Sequence, residues 1–376
     1  MSHAVVVGGG IGGLAAALAL QQRNWAVTVC ERAPSLDPVG SGLAVAANAL
    51  KALDVLGVGD AVRALSTLRG EGGIRRRDGR WLVRTTEEAA AARYGDSVVL
   101  LTRAALVDLL AEHLAPGTLR LGTEVHAVDP DTGRVSTGAG ELTADLVVAA
   151  DGLHSAVRRV LFPDHPGPAY AGVTSWRLLV PRGGLPCPAS ETWGAGQVFG
   201  VLPLAGDLVY CYGTATVPAG GRADDERAEL LRRFGDWHDP IPRLLEAAGA
   251  GRILRTDLYS LATPLPAFHR GRVVLLGDAA HAMTPYLGQG ACQAIEDAVV
   301  LAHLADRPDG PAAYTAARLP RATRVVRASD TLCRITKLRN PLAVRLREAA
   351  MVLGGRLRPD LMLTAADEIL RWRPPV

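Results

Sequence analysis

Residues 4–32, "AVVVGGGIGGLAAALALQQRNWAVTVCER", constrain this chain more than any other stretch. A short, wholly apolar run suits a strand buried on both faces of a parallel sheet. Gly8, Gly10 and Gly13 then satisfy the spacing G-x-G-x-x-G, and the alanine and leucine run behind them is a strong helix former. A second apolar run closes on Glu31, 23 residues after Gly8. The spacing has a physical reason. Glycines let a pyrophosphate approach the backbone at the start of a helix, and an acid at the end of the second strand can accept both hydroxyls of an adenosine ribose. The chain therefore opens as a β-α-β dinucleotide unit. Glu31 argues against a ribose 2′-phosphate at this point, while FAD and NAD fit the unit equally well.

Two later segments share the strand-turn-helix pattern. In "DLVVAADGLHSAVRRVLF", residues 145–162, an apolar strand ends at Asp151-Gly152 and a helical stretch carries Arg158. In "RVVLLGDAAHAMTPYLGQGACQAIEDA", residues 272–298, an apolar strand ends at Gly277-Asp278, and a glycine-bearing loop leads into a helix near Ala291. The carboxyl ends of strands are where open α/β sheets bind ligands. That helix start would point free N–H groups and a positive dipole end at whatever lies before it.

Together these segments resemble the class A FAD-dependent aromatic hydroxylases of the para-hydroxybenzoate hydroxylase type. The resemblance rests on the glycine fingerprint with its "ER", the "DG" segment with Arg158, and "GDAAH" followed by P-x-x-G-Q-G, in that order. It continues through "GSGLAVAANALKALDVLGVGDAV", "LTRAALVDLL" and "YAGVTSWR", nearest to the branch of salicylate, 3-hydroxybenzoate and urate hydroxylases and zeaxanthin-epoxidase-like enzymes.

The resemblance implies an α/β fold with a discontinuous Rossmann-type FAD-binding domain (1–68, 98–164 and 258–305). It also implies an antiparallel-sheet substrate domain (69–97 and 165–257) and a C-terminal helical region (306–376). It further implies that Gly8, Gly10, Ile11, Gly12, Gly13, Glu31 and Arg32 hold the adenosine end of FAD. Arg103 would reach the pyrophosphate, and Asp151 and Arg158 would serve the "DG" motif. Asp278 would bind the ribityl chain, and Pro285, Gly288, Gln289, Gly290 and Ala291 would lie along the flavin's pyrimidine edge. NADH or NADPH would be a transient electron donor, since the chain has no second glycine fingerprint, and O2 a co-substrate. A C4a-hydroperoxyflavin would then transfer oxygen to an aromatic or heteroaromatic molecule.

The substrate face is less sharply defined. Candidates there are Phe199, Tyr210 and Tyr212, with Arg177 and Tyr286 as candidate catalytic residues. Alternation along "VTSWRLLV" puts Trp176 and Arg177 on opposite faces, so only one can see the pocket. His281 reads as a satisfied structural histidine rather than a general base. Epoxidation or Baeyer–Villiger oxygenation of a terpenoid or polyketide uses the same flavin chemistry, and a non-oxygenating flavin reductase would keep the same motifs.

Composition excludes other classes. With 48% hydrophobic and 21% charged residues the chain is not expected to be disordered. Five dispersed cysteines without C-x-x-C or histidine spacing predict reduced thiols and no metal site. The N-terminal apolar stretch has no basic flank and five glycines, so it predicts neither an export signal nor a stable membrane insertion. Net charge is only +3, but nine Arg and Lys fall between Arg318 and Arg347, a run that reads as a solvated helix face rather than a site for nucleic acid or membrane. A cytoplasmic monomer or homodimer is expected, with a small molecule as its partner.

Overall fold

The computed structural model describes residues 1–36, 40–65, 70–249, 253–358 and 360–375. The expected division at 68/69 falls outside them. Among the described residues the chain forms two main sheets. The first has six strands in the order His269–Arg270, Val273–Leu275, Leu146–Ala149, His3–Val7, Ala26–Cys30 and Leu119–Arg120. All its neighbours run parallel except the outermost pair, His269–Arg270 with Val273–Leu275. Its central strands carry the apolar runs and are almost wholly buried.

Two helices cover one crossing point of this sheet. Ile11–Gln21 packs against Gly290–Leu304, and Gly12 permits the approach: a Cβ there would lie 2.7 Å from Leu276 and 3.1 Å from Ala294. Of the fingerprint glycines, Gly8 makes the tight turn at φ +106°, and Gly13 lets the helix pack closely on the strand, since a Cβ there would fall 2.0 Å from the Gly8 carbonyl oxygen.

The second sheet has seven strands, ordered Leu254–Ser260, Ala169–Pro181, Leu208–Ala215, Gln197–Pro203, Ser190–Trp193, Glu71–Arg76 and Trp81–Thr86. Its pairs are antiparallel except Ser190–Trp193 with Glu71–Arg76. A hairpin turning at Asp78-Gly79 joins the last two strands, with Gly79 at φ +86°. One face of this sheet is sealed by Glu226–Phe234 and Ile241–Ala247 over Trp176, Phe199, Phe234 and Trp237. The other face meets a separate two-stranded ribbon, Gly42–Val45 with Val99–Thr102, where Ala44 and Leu100 pack near Tyr210 and Tyr212.

The C-terminal region is helical, chiefly Gly310–Thr336 and Pro341–Leu357. The reading of its arginines as one solvated face needs correction. Arg318 is 1% exposed and Arg347 8% exposed. A buried cation must be paired, and the Arg318 Nη1 and Nε atoms lie 2.6 Å from Glu296 and Asp297 respectively.

Candidate functional site

At the first turn, the helix Ile11–Gln21 starts from Gly10 with no side-chain cap and no acid in its first turn. Its leading N–H groups are therefore free for an anion. Glu31 braces the turn from the neighbouring strand: its Oε2 accepts from Gly9 N at 2.7 Å and its Oε1 from Ala33 N at 2.8 Å. Arg103 follows Thr102, which caps its helix by accepting from Ala105 N. A Cβ placed on Gly10 would lie 3.7 Å from Arg103 Nη2, so the guanidinium stands beside the glycine turn. Arg32 is exposed next to Glu31.

The "DG" turn ends the parallel neighbour Leu146–Ala149, so it and the glycine turn flank one cleft at the carboxyl ends of the strands. Asp151 Oδ2 accepts from Val157 N at 3.2 Å, whereas its buried Oδ1 has no partner in the protein. Arg158 is not aimed at this cleft. Its guanidinium, 2% exposed, donates to the carbonyls of Ala279 at 2.9 Å and Leu153 at 2.7 Å. It ties the "DG" turn to the "GDAAH" turn and so positions both.

Asp278 stands at the centre. Protein atoms crowd around its carboxylate, yet solvent still reaches it, the condition of a cleft wall. Burial raises its pKa, while His281, Arg103, Arg177 and Arg158 pull it down. A Cβ on Gly290 would lie 3.9 Å from Asp278 Oδ1, which puts the carboxylate at the start of the helix Gly290–Leu304. That helix start has no side-chain cap, and Pro285–Leu287 and Gly288, at φ +62°, lead into it.

Behind this loop lies a buried polar network. Asn48 Nδ2 donates to Gln289 Oε1 at 3.0 Å and to Glu296 Oε1 at 2.7 Å, and Arg318 and Arg321 hold Glu296 from the other side. Asp297 accepts from Gly277 N at 3.0 Å and from Arg318, and pairs with His281 Nε2 at 2.6 Å. Burial would raise the Asp297 carboxyl, but His281 and Arg318 outweigh it and hold it below the usual carboxylate range. His281 is thus anchored away from the cleft. The Gln289 side chain also turns into this network, leaving only its backbone for a ligand.

The wall opposite comes from the seven-stranded sheet. Trp176 is fully buried on the sealed face, with Nε1 donating to Glu226 at 2.6 Å, so Arg177 faces the cleft, close enough to act on Asp278 and Tyr210. Strand register places Arg177, Tyr212, Gly200 and Glu191 in one row across four strands. Tyr212 leans over Gly200, where a Cβ would come within 2.2 Å of its ring, and its hydroxyl donates to Glu191. Trp193 Nε1 also donates to Glu191, at 2.9 Å. Burial raises the Glu191 carboxyl against these two hydrogen bonds, and burial likewise lifts the Tyr212 phenol well above its ordinary value. Tyr286 closes the gap from the flanking loop: its hydroxyl approaches Thr214 Oγ1 at 3.4 Å, and burial pushes its pKa up to about 12.

Phe199 does not belong to this face. It pairs with Gly213, which pairs with Trp176, so strand parity sends its ring into the sealed core against Phe234. Glu191 carries no motif and sits on a four-residue strand, so nothing in the sequence sets it apart. The network had one sequence signal, the adjacent acids Glu296 and Asp297 inside an otherwise apolar helix, which require buried cations.

The profile of the family described as FAD binding domain matches residues 1–178 and 259–329. The chain belongs to this FAD-binding family. The gap in the match spans most of the strands that carry Tyr212, Gly200 and Glu191. The chain is 41% identical over 366 residues to the aurachin C monooxygenase/isomerase of Stigmatella aurantiaca, covering 95% of each chain. It is 35% identical over 354 residues to the 3-amino-4-hydroxybenzoate 2-monooxygenase of Streptomyces cremeus, covering 87% of this chain and 86% of that one. Klebsiella pneumoniae HpxO, solved with FAD and uric acid, superposes with a TM-score of 0.89 at 28% identity, covering 98% and 97% of the two chains.

The flavoprotein is an FAD-dependent monooxygenase, an oxidoreductase of the class A flavoprotein hydroxylase fold. Its cleft fits that cofactor on its own terms: an uncapped helix start at Gly10, an unpartnered buried Asp151 Oδ1, and a solvent-reached Asp278 beside a second uncapped helix start. When bound, FAD supplies electron transfer from a nicotinamide and activation of O2. Among the described residues no group of acids, cysteines and histidines could hold a metal ion, and no helix is long and apolar enough to cross a membrane.

Proposed function

We propose that this monooxygenase hydroxylates an electron-rich aromatic or heteroaromatic small molecule bearing an acidic hydroxyl or a comparable anionic group. The observation that carries this reading is the row Arg177–Tyr212–Gly200–Glu191 facing the loop of Tyr286 and Asp278. Among the described residues the Arg177 guanidinium makes no side-chain hydrogen bond, so it is available to an anion. Tyr212 supplies a buried phenol, and the missing side chain at Gly200 makes room for it. An ionised hydroxyl raises the electron density of a ring toward an electrophilic oxygen donor, so a cation that favours the ionised form helps the reaction. The relatives' named substrates agree in kind, 3-amino-4-hydroxybenzoate among them.

In this reading the FAD-holding groups are Gly8, Gly10, Ile11, Gly12, Gly13, Glu31, Arg32, Arg103, Asp151, Asp278, Pro285, Gly288, Gly290 and Ala291, with Arg158 and Gln289 positioning them from behind. Tyr210, Tyr212, Arg177 and Tyr286 line the substrate side, joined by Glu191. Residues 1–68, 98–164 and 258–305 would form the cofactor domain, 69–97 and 165–257 the substrate domain, and 306–376 the helical region. All five cysteines are free and buried, which supports reduced thiols and a cytoplasmic location; a monomer or homodimer is proposed with it.

Arg177→Gln tests the reading. It should raise KM for an anionic aromatic substrate by one to two orders of magnitude, roughly the worth of a buried charged hydrogen bond, while flavin content stays unchanged. An unaltered KM would remove Arg177 from the substrate site.

A further inference from the structure

We propose that the outer face of the helix Pro341–Leu357 docks this enzyme onto an anionic lipid surface, without spanning it. The helix repeat places Leu342, Leu346, Ala349, Ala350, Leu353 and Leu357 on one arc. The four leucines are 68%, 71%, 58% and 74% exposed. The helix itself is firmly held. Asn340 caps its start, Arg347 Nη2 donates to the Gly194 carbonyl at 3.2 Å, and Glu348 pairs with Arg76 at 3.1 Å. A Cβ on Gly355 would lie 3.2 Å from Val83, so the inner side is packed closely. The leucines therefore point outward from a fixed helix. A continuous leucine stripe of this kind marks a binding surface.

Charge selects the occupant. Arg345 and Arg356 are exposed along one rim of the stripe, and exposed Arg358 follows at its end. The helix has one carboxylate, Glu348, and it is engaged on the inner side with Arg76 and Arg347. An antiparallel pair of these helices about a two-fold axis would set each arginine rim beside its own copy, with no acid to neutralise it. Anionic headgroups supply the missing charge, and an apolar face with basic residues at its edge is the pattern of helices lying in a lipid interface. At 17 residues the helix is about 25 Å long. Lying flat, it would seat four leucines at the depth of the headgroups.

The test uses full-length, FAD-loaded protein floated with vesicles of phosphatidylcholine alone or mixed with phosphatidylglycerol, alongside light scattering. The expected result is flotation with the mixed vesicles only, released by high salt. Leu346→Ser/Leu353→Ser and Arg345→Glu/Arg356→Glu should each weaken it by about tenfold or more. Flavin absorbance and nicotinamide oxidation in solution should be unchanged in both variants. Equal flotation with neutral vesicles, flotation indifferent to both double substitutions, or no flotation at all overturns the proposal. If absent flotation comes with a dimer that Leu346→Ser/Leu353→Ser dissociates, the occupant is a second copy of the chain.

Discussion

Asp278 and Glu191 are carboxylates held where charge is disfavoured, one on each wall of the cleft. Neutralising surroundings differ between them: Asp278 has arginines around it, whereas Glu191 has only the Tyr212 hydroxyl and the Trp193 indole. Asp278→Ala is expected to yield colourless protein that fails to bind added FAD, read from its visible spectrum; a yellow variant would remove Asp278 from the cofactor site. Glu191 carries a different prediction. Its folded pKa is raised, so between the unfolded and folded values the native state binds more protons, and stability falls as pH rises through that window. Glu191→Gln should therefore melt higher than the parent near neutral pH. It should also turn over more slowly and lose the acid limb of its kcat/KM pH profile, because Tyr212 no longer has a titrating acceptor. A variant with unchanged melting and pH profile would make Glu191 an ordinary packed residue.

At the scale of elements, the helix Gly290–Leu304 is fixed at its middle by ion pairs rather than by leucine packing alone. Arg318 bridges Glu296 and Asp297 inside the core. Arg318→Met would leave buried Asp297 with only His281, and buried Glu296 with only Arg321, as ion-pair partners, a loss of about 3–5 kcal/mol. It should be visible as a lower melting temperature and as weaker FAD retention, since the Gln289 turn shares the network. The Asp297 pKa is depressed, so its contribution is complete above the ordinary carboxylate range and is lost only as pH falls below it. Arg318→Met should accordingly narrow its melting gap to the parent in strong acid. Sequence reading reached the elements that depend on local spacing. Glycines, strand and acid within 30 residues declare the fingerprint, and "DG" and "GDAAH" declare the strand ends. It could not reach contacts between distant segments. Alternation showed that Trp176 and Arg177 face opposite ways, but only the packing of Glu226–Phe234 decided which faced inward. The same pairing parity that placed Tyr210 and Tyr212 in the cleft removed Phe199 from it.

For the whole molecule, the six-stranded and seven-stranded sheets meet across one cleft, and the family profile covers the first more fully than the second. The family profile omits residues 179–258, where the row of Tyr212, Gly200 and Glu191 lies. Cofactor chemistry is thus shared with the relatives, and in the proposed reading the choice of substrate falls to the seven-stranded sheet. An enzyme of this kind must hold its substrate before oxygen is activated, or reducing power is lost to peroxide. The most direct measurement is therefore nicotinamide oxidation in air by the FAD-loaded protein, against phenols, hydroxybenzoates, urate, hydroxylated quinolines, indoles and terpenoid alkenes, with H2O2 and product mass followed together. If the proposed function holds, an anionic hydroxyaromatic accelerates oxidation, gains one oxygen atom and leaves little H2O2. Acceleration by alkenes alone, or H2O2 matching every nicotinamide consumed across the panel, would contradict it.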